Sequence, residues 1–475
     1  MHEAQAFGAY AIFAATITLL IWRPKGINEA YPAMGGALAL LLIGIVRPRE
    51  LGEVFSIVSG AAVTILCTIV MSIVLDSIGF FRWSAYNVIR YARGSGIRLY
   101  WVIMALCFLM TLFFNNDGSI LITTPIIIQV ARLLRLKVHQ QIPYLIGGAM
   151  VATAASAPIG VSNLANLIAL RIVGLDLNTY AWLMIPPSMA GIAVIALLLL
   201  VLHWRAIPRR IARLPESRRA ISAETHDEEL VLHPRSAAGR WLPESAMDSG
   251  RTPFHPLRQA DDPTPDWRLF QVCIALVVLI RASFFAGSAA GIPIEWIAAV
   301  GAALLIAVRW KWTGIGPSDL FRKTPWHILA FAFGVYAVVT GMRNAGLTDW
   351  ITAQAAPYIA AGGLTSIMWT GGLLTVLSNL INNLPSVMIG TMALTDMGLD
   401  GRTLQIAYLA NIIGSDVGAL LTPLGTLAAL IWMFILKQHG IRVTWGAYIR
   451  NALLVIPAGL FVCLAALHLW TQWIG

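Results

Sequence analysis

Two short polar runs interrupt long apolar passages of this sequence: Asn115-Asn116-Asp117-Gly118-Ser119 and Asn382-Asn383-Leu384-Pro385-Ser386. Two further breaks follow them, Ser156-Ala157-Pro158-Ile159-Gly160-Val161-Ser162-Asn163 and Gly414-Ser415-Asp416-Val417-Gly418 with Thr422-Pro423-Leu424-Gly425-Thr426. Unpaired polar groups are costly in hydrocarbon, so such stretches persist at membrane depth only inside protein or along a solute path. The neutral side chains they offer are Asn115, Asn116, Ser119, Ser156, Asn163, Asn382, Asn383, Ser386, Thr422 and Thr426, and these are the expected substrate-binding residues. The acids are Asp117 and Asp416. A buried carboxyl is pushed towards its protonated form, which suits both to proton coupling. Capping of broken helix ends is the structural alternative for each Asp, and backbone satisfaction that for the Asn pairs. No Lys or Arg falls in the four stretches. An organic anion wants a cation or a bound metal, so a neutral, hydroxyl-rich solute or a cation fits better.

The spacing of these residues is itself informative. Asn115 and Asn382, Asn116 and Asn383, and Ser119 and Ser386 are each separated by 267 positions, as are Gly79 and Gly346, and Trp83 and Trp350. Glu29 and Glu295 differ by 266, while Pro158 and Pro423, like Gly160 and Gly425, differ by 265. A register that drifts so little is the mark of an internal duplication.

Of the 475 residues, 58% are hydrophobic and only 12% charged, with a mean hydropathy of +0.74. That composition belongs to an all-α polytopic membrane protein. The net charge of +10 fits cytoplasmic loops enriched in Lys and Arg, and no basic patch interleaves with aromatics as nucleic-acid binding requires. Cys67, Cys107, Cys273 and Cys463 are far apart without metal-ligand spacing, so neither a metal nor another cofactor is expected. The nine histidines cluster at no midplane position and no His-Glu-x-x-His pair occurs, so no catalytic residue is assigned and an enzyme is not expected.

Apolar runs place the first repeat at 1–204, with spans near 7–22, 29–46, 54–79 and 181–204. Residues 81–99 carry interspersed arginines, the pattern of an interfacial amphipathic helix. Residues 99–131 read as a re-entrant hairpin with Asn115-Asn116-Asp117 at its tip, two ordinary spans being the alternative. Residues 142–173 read as a broken helix, a kinked packing helix being the alternative. Residues 205–268, rich in Pro, Arg and acids, read as a flexible cytoplasmic linker. The second repeat, 269–475, follows the same plan, with spans near 269–287, 293–308, 326–346 and 447–470. A loop occupies 347–363, a hairpin 364–395 and a broken helix 403–436.

Five spans and a hairpin per half is an odd count, which requires the halves to be inverted. With both termini periplasmic, most positive residues and the linker fall inside, and only Arg47, Arg49, Arg171, Arg281, Arg343 and Arg402 fall outside or near that face.

Several motifs carry a family likeness. Asn115-Asn116-Asp117-Gly118 with Thr124-Pro125, Val161-Ser162-Asn163-Leu164, Arg343-Asn344-Ala345-Gly346-Leu347-Thr348, Asn382-Asn383-Leu384-Pro385, and Ala410-Asn411-Ile412-Ile413-Gly414-Ser415-Asp416 with Thr422-Pro423-Leu424-Gly425-Thr426 closely resemble the ArsB-type arsenite efflux permeases of the ion transporter superfamily. The resemblance covers nearly all of the chain outside the linker. It implies a carrier of the bacterial inner membrane that exports trivalent arsenic and antimony, in exchange for protons or powered by an arsenite-stimulated cytoplasmic ATPase. An inverted-repeat fold with paired hairpins is implied as well. The sequence departs from the family where Thr153 or Ala154 stands for a frequent acid and Leu421 for an occasional lysine, and its linker is longer. Arsenite near neutral pH is largely an uncharged trihydroxide, which suits the neutral polar lining. A sodium- or proton-coupled carboxylate carrier, a sodium/proton exchanger and a channel remain open at this point.

Overall fold

The computed structural model describes residues 2–23, 27–211 and 266–474, and its regular elements are all helices. The first half comprises α1 (His2–Trp22), α2 (Ala30–Leu42), α3 (Pro48–Ser77), α4 (Phe80–Ala92), α5 (Gly96–Phe113), α6 (Asn116–Leu133), α7 (Val138–Ala154), α8 (Leu164–Val173) and α9 (Leu177–Leu202). The second comprises α10 (Trp267–Ala289), α11 (Ile294–Thr313), the short α12 (Ser318–Lys323), α13 (His327–Asn344), α14 (Leu347–Ile359), α15 (Gly363–Ile381), α16 (Asn383–Asp396), α17 (Gly401–Asp416), α18 (Leu427–Gln438) and α19 (Trp445–Trp473). Among the described residues, nine helical stretches are long and apolar enough to cross a membrane by length and composition. The linker expected at 205–268 lies, over 212–265, outside the described residues.

The duplication is visible helix by helix. Helices α4, α5 and α6 begin at Phe80, Gly96 and Asn116, and α14, α15 and α16 begin 267 positions later at Leu347, Gly363 and Asn383. Gly79 (φ 84°) and Gly346 (φ 87°) turn the chain into α4 and α14 in the left-handed region, where a β-carbon is strained. Contacts between the halves come in exchanged pairs: α2 packs on α13 as α3 packs on α11, and α6 on α18 as α8 on α16, while α9 packs on its counterpart α19. Each such pair joins a helix of one half to the partner of its offset counterpart in the other.

Each polar run joins two antiparallel helices. Ser119 Oγ donates to Cys107 O (3.4 Å) across the α5–α6 hairpin. A β-carbon on Gly390 of α16 would lie 2.9 Å from Leu374 Cδ1 of α15. Helix α17 runs so close to α15 that a β-carbon on Gly414 would meet Gly371 O at 2.3 Å, the small-residue packing by which helices associate in lipid. Two expectations change here. Residues 347–363 are not a loop, because α14 fills most of them, as its counterpart α4 does in the first half. Both arms of the first hairpin also reach further than the polar residues at their ends suggest, since α5 starts at Gly96 and α6 continues to Leu133.

Candidate substrate and coupling site

Helix α17 ends at Asp416, which is fully buried. A carboxylate at a helix C-terminus meets the negative end of the dipole, so its stabilisation must come from elsewhere. It comes from the break of the other half. Ser156 Oγ lies 2.8 Å from Asp416 Oδ2, Asn163 Nδ2 donates to Oδ1 at 2.9 Å, and Asn166 Nδ2 donates to Oδ2 at 2.6 Å. Asn163 is also the N-cap of α8, its Oδ1 accepting from Ala165 N (3.1 Å), so the carboxylate faces the positive end of that helix. Tyr408 Oη donates to Asn166 O (3.3 Å) and Tyr180 Oη to Ala157 O (2.7 Å), fixing the backbone of the break from two sides.

Ser156 Oγ is also 2.7 Å from Thr153 O. A hydroxyl has one proton and serves one acceptor at a time. With Asp416 ionised, that proton points at Oδ2. With Asp416 protonated, Oδ2–H donates to Ser156 Oγ and the serine proton turns to Thr153 O. Rotation of one hydroxyl therefore satisfies both charge states of the buried carboxyl.

At the second tip Asn382 adopts φ 78°, ψ 156°, a region almost reserved for glycine. Its side chain holds the turn: Nδ2 donates to Leu424 O (3.1 Å) in the neighbouring break, and Oδ1 accepts from Leu384 N (3.5 Å). Ser386 Oγ donates to Asn382 O (2.7 Å), so that hydroxyl serves the hairpin itself. Asn383 is buried beside it. Thr422 N donates to Asn379 Oδ1 (2.8 Å), and Asn379 Nδ2 donates to Thr375 O and Gly418 O (both 2.8 Å). Thr426 is the N-cap of α18, accepting from Ala429 N (3.1 Å).

The first tip is built differently. Asn115 has extended backbone and caps α6 through Gly118 N (3.0 Å), and the Oδ1 of buried Asn116 accepts from Asp117 N (2.8 Å). Asp117 stands half-buried in the first turn of α6, and its carboxylate makes no hydrogen bond or ion pair among the described residues. Charged groups whose fields reach it include Glu29, Arg23 and Asp416. Glu29 is itself bracketed by Arg23 (3.2 Å) and His327 (3.3 Å). Arg281 also arrives here, from α10. The charge bias counts it with the outer-face residues, yet it is buried and its Nη2 donates to Phe113 O and to Phe114 O (3.0 Å).

The structure thus brings Ser156, Asn163 and Asp416 into direct contact, and joins Asn382 to the break that holds Thr422 and Thr426. Ser119, Ser386 and Thr426 have hydroxyls engaged locally. Several buried hydroxyls have no partner among the described residues, including Ser162 Oγ and Thr422 Oγ1 in the two breaks and Ser378 Oγ on the second hairpin. The crevice at the second tip, lined by Leu20, Phe331, Asn382, Pro385, Leu427 and Leu430, holds only about 10 Å³. A larger cavity of about 440 Å³, lined by residues such as Ile142, His203, Arg442 and Arg450, includes none of the site residues.

Comparison with known proteins shows the family. A family profile described as "Citrate transporter" matches residues 17–414. A Bacillus subtilis (strain 168) protein, named provisionally as an arsenical pump membrane protein, is 42% identical over 466 residues, covering 97% of this chain and 99% of its own. The "Arsenical pump membrane protein" of Escherichia coli is 33% identical over 463 residues, covering 97% and 98%. The chain belongs to the arsenical pump membrane protein family. A further arsenical pump membrane protein, from Yersinia enterocolitica, is 32% identical over 461 residues, covering 97% and 98%. The crystal structure of the Alcanivorax borkumensis YdaH transporter aligns over 97% of this chain and 98% of its own at 15% identity, with a TM-score of 0.47, too distant to carry an argument.

Three residues of this arsenical-pump chain escape inspection of its breaks. Asn166 shares a helix face with Asn163, three positions earlier, and that spacing is a usable signal. Asn379 lies one turn before the second tip. Arg281 lies 167 positions from the carbonyls it serves and leaves no local signature.

Proposed function

We propose that this protein is a secondary active exporter of trivalent arsenic and antimony hydroxides in the bacterial inner membrane, working as a proton antiporter by alternating access. The observation that carries the proposal is Asp416, buried at the crossing of the two broken helices and held by three neutral side chains of the opposite half. An uncharged trihydroxide needs hydrogen-bond partners and no counter-ion, and the breaks and tips offer the unpartnered hydroxyls of Ser162 and Thr422 and the buried amides of Asn116 and Asn383. Asp416 and Asp117 exchange the proton. The Ser156 hydroxyl lets Asp416 change charge and keep its hydrogen bond. An arsenite-stimulated ATPase docking on the cytoplasmic face is an optional energy source.

The exchanged contacts between the halves and the bias of positive residues support a two-fold axis lying in the membrane plane, with the halves inverted and both hairpins entering from opposite sides. The description of the family profile favours a second reading, carboxylate transport. Against it stand the absence of Lys and Arg from the four polar stretches and the engagement of the buried Arg281 guanidinium with backbone carbonyls.

Arsenite accumulation in everted vesicles under an imposed pH gradient tests this. The wild type accumulates arsenite and dissipates the gradient. Asp416→Asn still binds arsenite but accumulates none. Wild-type vesicles that take up labelled citrate or succinate, and not arsenite, would remove the proposal in favour of the carboxylate reading.

A further inference from the structure

Helix α5 ends at the first tip with unsatisfied carbonyls, the negative end of its dipole. Unwound carbonyls and half-helix C-termini of this kind are where transporters hold a small coupling cation. In this chain the place is taken. Arg281 reaches in from α10, donates from one nitrogen to both Phe113 O and Phe114 O, and lays its guanidinium over the ring of Phe284 at 5.3 Å from the centroid. The guanidinium is enclosed, because its Nε is buried without an acceptor. We propose that Arg281 is a tethered cation that fills the first tip in place of a soluble metal cation, and so determines that the carrier runs without sodium.

The duplication sharpens the point. Counting 267 or 266 positions back from Arg281 arrives at Ala14 or Ala15 in α1. The equivalent position of α1 thus carries alanine, so no arginine repeats at this offset in the other half. Arg281 acts through the backbone carbonyls it binds, so it is a positioning and ion-specificity residue. The inference rests on the two tips belonging to the transport site.

The test is arsenite uptake by everted vesicles of wild type, Arg281→Gln and Arg281→Lys, in choline, sodium or guanidinium chloride, with a pH-sensitive dye recording proton movement. Wild type is indifferent to replacing sodium with choline. In choline, Arg281→Gln loses about tenfold or more of its uptake, the effect of removing charge-assisted hydrogen bonds. Sodium or guanidinium restores it. Arg281→Lys, which keeps the charge, needs no added cation. Uptake by Arg281→Gln that equals wild type in choline, or that no cation restores, overturns the proposal, as does sodium dependence of the wild type. Should Arg281→Gln not fold, its monodispersity in detergent is compared across the three salts. Recovery in sodium or guanidinium supports the tethered cation, and its absence refutes it. Wild-type uptake indifferent to the pH gradient would sink proton coupling alone, leaving the cation rescue to be judged separately.

Discussion

The two hairpin tips share a plan and differ in how they are held. At the first, Arg281 seals the end of α5 by charge, while Asp117, in the first turn of α6, makes no hydrogen bond or ion pair among the described residues. The second is held by backbone: Asn382 accepts a conformation suited to glycine, and its amide ties the turn to Leu424 O. Leu384 stands where Asp117 would be, 267 positions on. The breaks diverge too. Asp416 serves one break from the other half, and its counterpart by the 265 offset is Val151. The helices around the two tips start at a constant offset, yet the titratable and charged groups are placed unequally along them. A symmetric scaffold therefore carries an asymmetric electrical device.

Glycines give the largest expected contrast. A β-carbon on Gly425 would lie 1.9 Å from Ala419 O, whereas one on Gly160, its counterpart, would find Tyr180 Cε1 at an ordinary 3.6 Å. Gly425→Ala should leave no monodisperse protein in size-exclusion profiles, and Gly160→Ala should elute as wild type. Equal behaviour would mean the two breaks are not packed differently.

Next comes the exchange of the tip residues. Asp117→Leu gives the first tip the side chain of the second. Because that carboxylate holds no bond, thermal stability should change by less than about 1 kcal/mol, while proton-driven uptake disappears. Loss of folding instead would make Asp117 a structural residue.

Ser156→Ala comes third. It removes the rotor beside Asp416, costs one charge-assisted hydrogen bond, and should slow proton-driven exchange by about tenfold, with arsenite binding kept. An unchanged rate would show that Asp416 does not titrate through Ser156.

The smallest effects belong to the caps. Asn115→Ala loses an N-cap and should cost about 1 kcal/mol. Asn382→Ala loses the bond to Leu424 O and keeps the strain, for about 2 kcal/mol. Asn382→Gly trades that bond against relief of strain and should fall within about 1 kcal/mol of wild type. Chemical denaturation or thermal melting of the purified proteins ranks the three, and a strongly destabilised Asn382→Gly would remove strain from the account.

Much of this was legible in the residues. Glycine, proline and asparagine at a constant offset reveal a duplication because helix breakers keep their place when surface residues drift. The segments around Asn115, Asn382, Pro158 and Pro423 announce themselves by being polar where hydrocarbon is expected. Helix α14 was missed because its residues are polar enough to resemble a loop and include Pro357, although Gly346 echoes Gly79. Charge bias counts Arg281 among the residues on or near the outer face, since hydropathy cannot distinguish an arginine near a helix end from one whose partners lie on a hairpin of the other half. The grip of Asn166 on Asp416, 250 positions apart, belongs to the same class of information, which only the fold supplies.

Bonds from Asp416 to Ser156, Asn163 and Asn166 also have a mechanical meaning. They tie the end of α17 to the break before α8 and to its first turn, so sliding the two broken helices past one another would break all three bonds. A stroke that keeps those bonds while it carries the site from one side of the membrane to the other must move both breaks as one body, and the shear has to fall at some other seam of the molecule.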